Sequence, residues 1–455
     1  MHARQLALGL LIAIAATSSA QDVPKFQMPP GPAGVLMSAY IEAFNAGDSS
    51  SFRGFWEKHS VTPAPVPIEE RLKRSVQMRS QIGTLEPVRL LSLGDERASL
   101  LVRSEKEGFL RFEFMMEPGP PERLRAIAIE QADEDEPATE PKASFAELAR
   151  DLDEYLTQET ATDRFSGVVL IANNDQVVFH RPYGYADRAE RVANNTDTKF
   201  NLGSINKAFT ALAIRQLADQ GKLRLDDTLK TFLPDYPNAE AARTVTIRHL
   251  LEMTSGIGDF FGQRYEATPK ESLTTIRSFL PLFADLPLGF TPGTSRRYSN
   301  GGYIVLGAII EQVSGTDYYS YVRRHIFEPA GMKDTESFPK NDPVANRSKG
   351  YTRRGSTGSL QENVETLPGR GSSAGGGYST APDLLRYVAA LKGATICSED
   401  DPARAGFGVA GGAPGINAAF DWDPQAGTVV IVLTNLDPPA AERVARLVRG
   451  WLPRS

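Results

Sequence analysis

Apolar positions recur along the chain with two different periods, and the change of period divides it. Residues 22–34 are rich in Pro and Gly and predict an extended start. From Val35 to Ala46, the residues Leu36, Tyr40, Ile41 and Phe44 fall on one helical face, and Gly47 is a stop signal. A second helix is predicted from Ile68 to Gln81. Beyond it the spacing shortens to alternation. Val88 to Leu90, Leu100 to Val102, Leu110 to Met116 and Leu124 to Ile129 predict four short strands. Residues 132–143, ADEDEPATEPKA, have no apolar pattern to bury and predict a linker, with a domain boundary near residue 140. A helix from Phe145 to Leu156 opens the second part. Gly167 to Ile171 and Val177 to Phe179 predict two strands around the turn Asn173-Asn174-Asp175. The middle is helical and loop-rich. Strands return at Phe407 to Gly412, Ile416 to Trp422 and Thr428 to Thr434, and a helix from Pro439 to Trp451 follows. Strands at both ends with helices between them predict one antiparallel sheet built from both ends of the domain and flanked by helices. The expected class is therefore α+β: a small α+β domain over 22–131, a linker over 132–143 and a larger domain over 144–455.

Length, charge and rare residues narrow the function classes. The 455 residues leave room for two domains. Fifty basic against 56 acidic residues give a net charge of −6, which offers no attraction to a phosphate backbone, so nucleic acid is not an expected partner. His2 and Arg4, the apolar run Leu6 to Ala16 and the small residues Ser18-Ser19-Ala20 read as a signal peptide over 1–20, cleaved before Gln21. The run is shorter than the roughly 20 apolar residues a membrane span needs. Export to the periplasm or medium is expected, with no transmembrane segment after cleavage. The single cysteine, Cys397, excludes an intrachain disulfide and a cysteine-based zinc cluster. None of the five histidines has metal-ligand spacing with another, so no metal and no cofactor are expected. The expected partner is a small-molecule or peptide substrate; oligomeric state is left open.

Three patterns carry chemistry. Ser204-Ile205-Asn206-Lys207 places a lysine amine three residues after a serine, on the same helical face. A serine hydroxyl is a poor nucleophile without such a base, and Ser-Lys pairs are a known solution. The motif is short enough to arise by chance about once or twice in a chain of this length. Ser337-Phe338-Pro339-Lys340 matches too, but Pro339 disfavours helical backbone at Phe338. Ser204 instead follows Gly203 and opens the apolar stretch Ala208 to Ile214, at a helix start where backbone N–H groups favour negative charge. The alternative is a plain helix cap beside a solvated lysine. The second pattern is Tyr298-Ser299-Asn300. A tyrosine beside an ammonium is expected to lose its proton more easily and to act as base or relay, and an Asn amide can both donate to and accept from a substrate. Tyr236-Pro237-Asn238 also matches, but lies in a turn and reads as structural. The third is Val409 to Gly415, in which Gly411 and Gly412 allow close backbone approach. The Gly412 N–H is a candidate partner of the Ser204 N–H in an oxyanion hole; a glycine-rich turn is the alternative.

The order of these patterns resembles the class C β-lactamase and D-alanyl-D-alanine peptidase superfamily with its esterase relatives. Phe200 to Gly203, His249 to Gly256, Ile326 to Met332 and Ala374 to Thr380 resemble it as well. The resemblance spans roughly 145–452. It implies a β-lactamase/transpeptidase-like domain, Ser204 as nucleophile, Lys207 and Tyr298 as an acid–base pair, Asn300 as substrate-orienting, and an acyl-enzyme opened by water. It also implies a structural role for His249. Val409 stands where relatives carry a Lys or His that holds a substrate carboxylate. Arg296 or Arg297 is a conceivable substitute, and Ser356-Thr357-Gly358 is a loose match in a polar loop. The departure favours a carboxylic ester or amide over a D-amino-acid peptide or β-lactam; a non-catalytic binding protein retaining the fold is the other alternative. The N-terminal pattern resembles the cone-shaped nuclear-transport-factor-like domains, for which an accessory role is expected here.

Overall fold

The computed structural model describes residues 26–61, 66–117, 123–355 and 358–453. The expected signal peptide lies outside the described residues, as do Ser356 and Thr357. Among the described residues no helix is long and apolar enough to cross a membrane. The chain divides into two compact units between Glu140 and Pro141.

The N-terminal unit runs α1 (Pro32–Ala46), α2 (Ser49–His59), α3 (Ile68–Ile82), then the antiparallel meander β1 (Leu85–Leu93), β2 (Arg97–Ser104), β3 (Gly108–Glu117) and β4 (Arg123–Gln131). Helix α2 has no counterpart in the sequence reading, because its serines look like loop. Asp48 supplies the missing signal: its carboxylate accepts from the Ser50 and Ser51 amides at 2.9 Å, satisfying the exposed donors of the first turn. Phe52, Phe55 and Trp56 then turn inward. Tyr40, Phe44, Phe55, Trp56, Phe112 and Phe114 meet at ring-centroid distances of 5.1 to 6.4 Å, so aromatic side chains fill the interior of this unit. The acidic stretch read as a linker makes polar contacts of its own with this unit. It buries Glu136 3.6 Å from the Arg111 guanidinium, and the Thr139 amide donates to the Leu91 carbonyl at 2.7 Å. A charge pair and hydrogen bonds to backbone carbonyls, rather than apolar surface, hold it to this unit.

In the second unit α4 (Phe145–Ala161) precedes the hairpin β5 (Gly167–Asn173) and β6 (Gln176–Tyr183). The helical region contains α5 (Asn206–Asp219), α6 (Asn300–Ser314) and α7 (Ala381–Lys392) among shorter helices. β7 (Phe407–Ala413), β8 (Ile416–Asp423), β9 (Thr428–Thr434) and α8 (Ala440–Trp451) end the described fold. One five-stranded antiparallel sheet results, in the order β7-β8-β9-β5-β6. Strands from opposite ends of the domain pair at its centre, with Val432 opposite Val169. These central strands read as unbroken apolar runs because both faces are covered. Val169, Ile171, Val430 and Val432 pack with Leu148, Leu152, Val444 and Val448 of α4 and α8. Val168, Leu170, Ile431 and Leu433 join the larger core formed with α5, α6 and α7. Helix α6 is buried almost all round, from Gly301 to Ile310, as expected of a helix in a core's centre.

Candidate active site

The sheet's β7 edge and the starts of α5 and α6 bring the sequence candidates together. Ser204 lies in a single 3-10 turn, Gly203–Ile205, and α5 proper begins at Asn206. Gly203 has φ 51, a left-handed conformation that glycine adopts without a Cβ penalty. The turn is clamped from several sides. The Asn201 side-chain oxygen accepts from the Gly203 amide at 2.9 Å, the Leu202 amide donates to Gly377 O at 2.8 Å, and the Gly376 amide donates to Gly203 O at 3.2 Å. The segment Ala374 to Tyr378, noted in the sequence without a role, is therefore the wall that holds this turn. Below it α5 buries Phe209, Leu212, Ala213, Ile214 and Leu217, so the turn stands on a packed helix.

Ser299 caps α6, its hydroxyl accepting from the Gly302 amide at 2.8 Å and donating to Gly258 O at 2.9 Å. The cap puts Tyr298 just outside the helix and Asn300 at its first position. Three groups converge there. Lys207 Nζ lies 3.1 Å from Ser204 Oγ, and Tyr298 Oη donates to the same Oγ at 2.6 Å. Lys207 Nζ also donates to Asn300 Oδ1 at 2.7 Å and to the Ala374 carbonyl. A neutral amine has two N–H donors and one lone pair. The two carbonyl oxygens take the donors, and the lone pair is left for the Ser204 O–H.

The ionisation of the pair differs from the expected one. Burial pushes the Lys207 amine down to about 7, partly opposed by the charge of Asp259; the residue is only 7 % exposed. Near neutrality a large share of Lys207 is thus uncharged. Tyr298 is pushed up by desolvation, against the effect of its hydrogen bond to Ser204 and reinforced by Asp259. Desolvation thus acts on both groups against the expected phenolate beside an ammonium, lowering the lysine and raising the tyrosine.

Strand β7 closes the third side. A Cβ on Gly203 would lie 2.9 Å from the Gly412 nitrogen, and one on Gly411 would collide with Leu202 O and come within 2.7 Å of the Ser204 amide. Backbone meets backbone there with no space for a side chain. Gly411→Ala is expected to displace the Ser204 turn and lower kcat by roughly 100-fold or more. A wild-type kcat on p-nitrophenyl acetate would remove β7 from the site. Val409 lies two residues earlier, on the strand face it shares with Gly411, and packs on the main core.

Several other candidates have structural roles. Lys340 pairs with Glu271 at 3.0 Å, and the Ser337 amide donates to the Glu336 carboxylate. Tyr236 is buried, and the Asn238 side-chain oxygen accepts from the Ala241 amide at a helix start. His249 Nδ1 accepts from the Thr246 amide at 3.3 Å in a capping box. The Arg297 guanidinium stacks over the Phe290 ring at 5.5 Å. Sequence reasoning missed Asp259, which accepts from Asn300 Nδ2 at 2.6 Å. Its only signal is a lone carboxylate in Ile257-Gly258-Asp259-Phe260-Phe261, three residues beyond the resembling segment ending at Gly256.

A family model described as Beta-lactamase matches residues 150–452. The putative penicillin-binding protein PbpX of Bacillus subtilis (strain 168) is 31% identical over 297 residues, covering 60% of this chain and 71% of that protein. The crystal structure of a penicillin-binding protein from Bacillus halodurans matches with a TM-score of 0.59 at 31% identity, over 65% of this chain and 98% of that one. A D-amino acid amidase from Ochrobactrum anthropi SV3 shares the fold, with a TM-score of 0.55 at 22% identity, over 66% and 97%. The chain belongs to the beta-lactamase family, whose members are serine hydrolases. Its second unit has the β-lactamase/transpeptidase-like fold.

Proposed function

We propose that Ser204 forms a covalent acyl-enzyme with a carboxylic ester or amide and that water then hydrolyses it. One observation carries this reading: Ser204 Oγ sits between Lys207 Nζ at 3.1 Å and Tyr298 Oη at 2.6 Å, in a turn packed against β7. Oγ bonds to the substrate carbonyl carbon while its proton passes to Lys207 Nζ. The carbonyl oxygen takes up the negative charge between the Ser204 and Gly412 amides. Such donors contribute about 3 kcal/mol each in the transition state. As the tetrahedral intermediate collapses, the leaving alkoxide or amine receives a proton from the Lys207 ammonium, relayed through Tyr298. Asn300 holds Lys207 and remains a candidate contact for the acyl side. Water repeats the sequence in the second half, giving the free acid and restoring Ser204.

Val409 favours an uncharged group at the position where relatives hold a carboxylate. The test is a hydrolysis panel of short-chain p-nitrophenyl esters, D-amino-acid amides and a chromogenic cephalosporin, with intact-mass detection of the acyl-enzyme. Esters or simple amides are expected to turn over well ahead of the cephalosporin. A panel led by the cephalosporin or by carboxylate-bearing D-peptides would replace the ester reading with the cell-wall one. Residues 1–20 support export of the chain to the periplasm or medium. The aromatic filling of the N-terminal unit supports an accessory role through its surface rather than a ligand inside it.

A further inference from the structure

We propose that Asp259 is a positioning residue, whose carboxylate locks the Asn300 amide with Oδ1 toward Lys207 and so keeps the lysine lone pair aimed at Ser204. This rests on the acyl-transfer reading above, in which Lys207 accepts the Ser204 proton. The two ends of an Asn amide have nearly the same shape and opposite polarity. Steric fit cannot choose between them, whereas a carboxylate can, because it only accepts. Asp259 Oδ2 accepts from Asn300 Nδ2 at 2.6 Å and faces the Asn300 backbone amide at 3.4 Å. Oδ1 is thereby turned to Lys207 Nζ, 2.7 Å away. In the flipped amide, Oδ1 would face the carboxylate and Nδ2 would face the amine. Lys207 would then spend its lone pair on Asn300 instead of on the Ser204 hydroxyl.

The carboxylate is itself held. Its Oδ1 accepts from the Phe261 amide at 3.1 Å, and the preceding Gly258 carbonyl accepts from Ser299 at 2.9 Å. The loop is thus tied to the same helix start that carries Asn300. Among the described residues no cation forms an ion pair with Asp259, so its charge bears on the site directly. The ionisable groups around Lys207 Nζ are Tyr298 and Tyr303, with rings 4.8 and 5.6 Å away, and Asp259; Arg215 and Arg296 act on Tyr303. Asp259 favours the lysine ammonium.

Two variants test the lock. Asp259→Asn keeps the shape of the side chain but can donate as well as accept, so it no longer selects one end of the Asn300 amide; Asp259→Ala removes the side-chain partner altogether. The readout is the rate constant of Ser204 modification by a serine-directed phosphonate as a function of pH, with the thermal melt of each variant. Asp259→Ala is expected to lower the plateau roughly 100-fold, as misaligned reacting groups do. Asp259→Asn, whose amide can meet either end of Asn300, is expected to lower the plateau as well, and its acid limb to move to lower pH as the charge that favours the lysine ammonium is removed. A wild-type plateau in either variant overturns the proposal. If Asp259→Ala does not fold, the Asp259→Asn plateau decides alone. Absence of phosphonate on Ser204 in the wild type would instead sink the acyl-transfer reading itself, and labelling with unmoved variants would sink Asp259 only.

Discussion

Ser204→Ala is expected to abolish phosphonate labelling and to cut ester turnover by roughly ten-thousand-fold or more. The substitution removes one oxygen and leaves the turn's anchors untouched. These are the Asn201 side chain and the hydrogen bonds from the Gly376 amide to Gly203 O and from the Leu202 amide to Gly377 O, none of which uses Oγ. The thermal melt should therefore stay close to wild type, and the loss can be read as chemistry. What remains in the variant is the pocket without the atom that forms the acyl bond. Intact-mass spectrometry after phosphonate treatment checks this most directly: one adduct in the wild type, none in Ser204→Ala. Equal labelling of both proteins would mean that another residue is the nucleophile, or that the adduct is adventitious.

Lys207→Ala is expected to slow acylation by roughly 100- to 10,000-fold, the range of a lost general base. The pH dependence identifies the reason. With the amine at about 7, kcat/KM should rise about tenfold per pH unit on the acid side and level off above neutrality. Tyr298, held above its ordinary range, gives no falling limb near neutral pH. The same burial has a consequence for stability. Lys207 has a lower pKa folded than unfolded, so between about 7 and its ordinary value of 10.5 the unfolded chain binds the extra proton. In that window stability rises with pH, and below about 7 the cost of the buried charge is fully present. Lys207→Met, which keeps an unbranched side chain without the charge, is expected to melt higher than wild type, most clearly on the acid side. Melting curves on either side of neutrality would show it. A lower melt at every pH would mean that the lysine's hydrogen bonds outweigh its desolvation.

Much of the larger unit was legible in the sequence. The runs at Gly167 to Ile171 and Thr428 to Thr434 are strands because they are short, apolar and bounded by turns, and both are central in the sheet. The serine, lysine, tyrosine and asparagine candidates come together within hydrogen-bond range. Helix α2 was illegible because its start depends on one capping carboxylate in a run of serines, a signal with no apolar period. The polar contacts made within the linker stretch 132–143 were illegible because its composition records only the absence of apolar residues. That Glu136 would meet Arg111 depends on how the sheet brings that side chain to it.

The sequence by itself determined the layout of the larger domain, the order of its candidate residues and the absence of a cation at Val409. Those are properties of spacing and residue type, which local backbone physics converts into helices, strands and turns. Only the tertiary structure decided the protonation of the site. Whether Lys207 is an ammonium or an amine depends on how much water the fold removes from it, and whether Asn300 presents oxygen or nitrogen depends on a carboxylate 41 residues away. Desolvation and amide orientation are set by neighbours distant along the chain, and no local pattern encodes them.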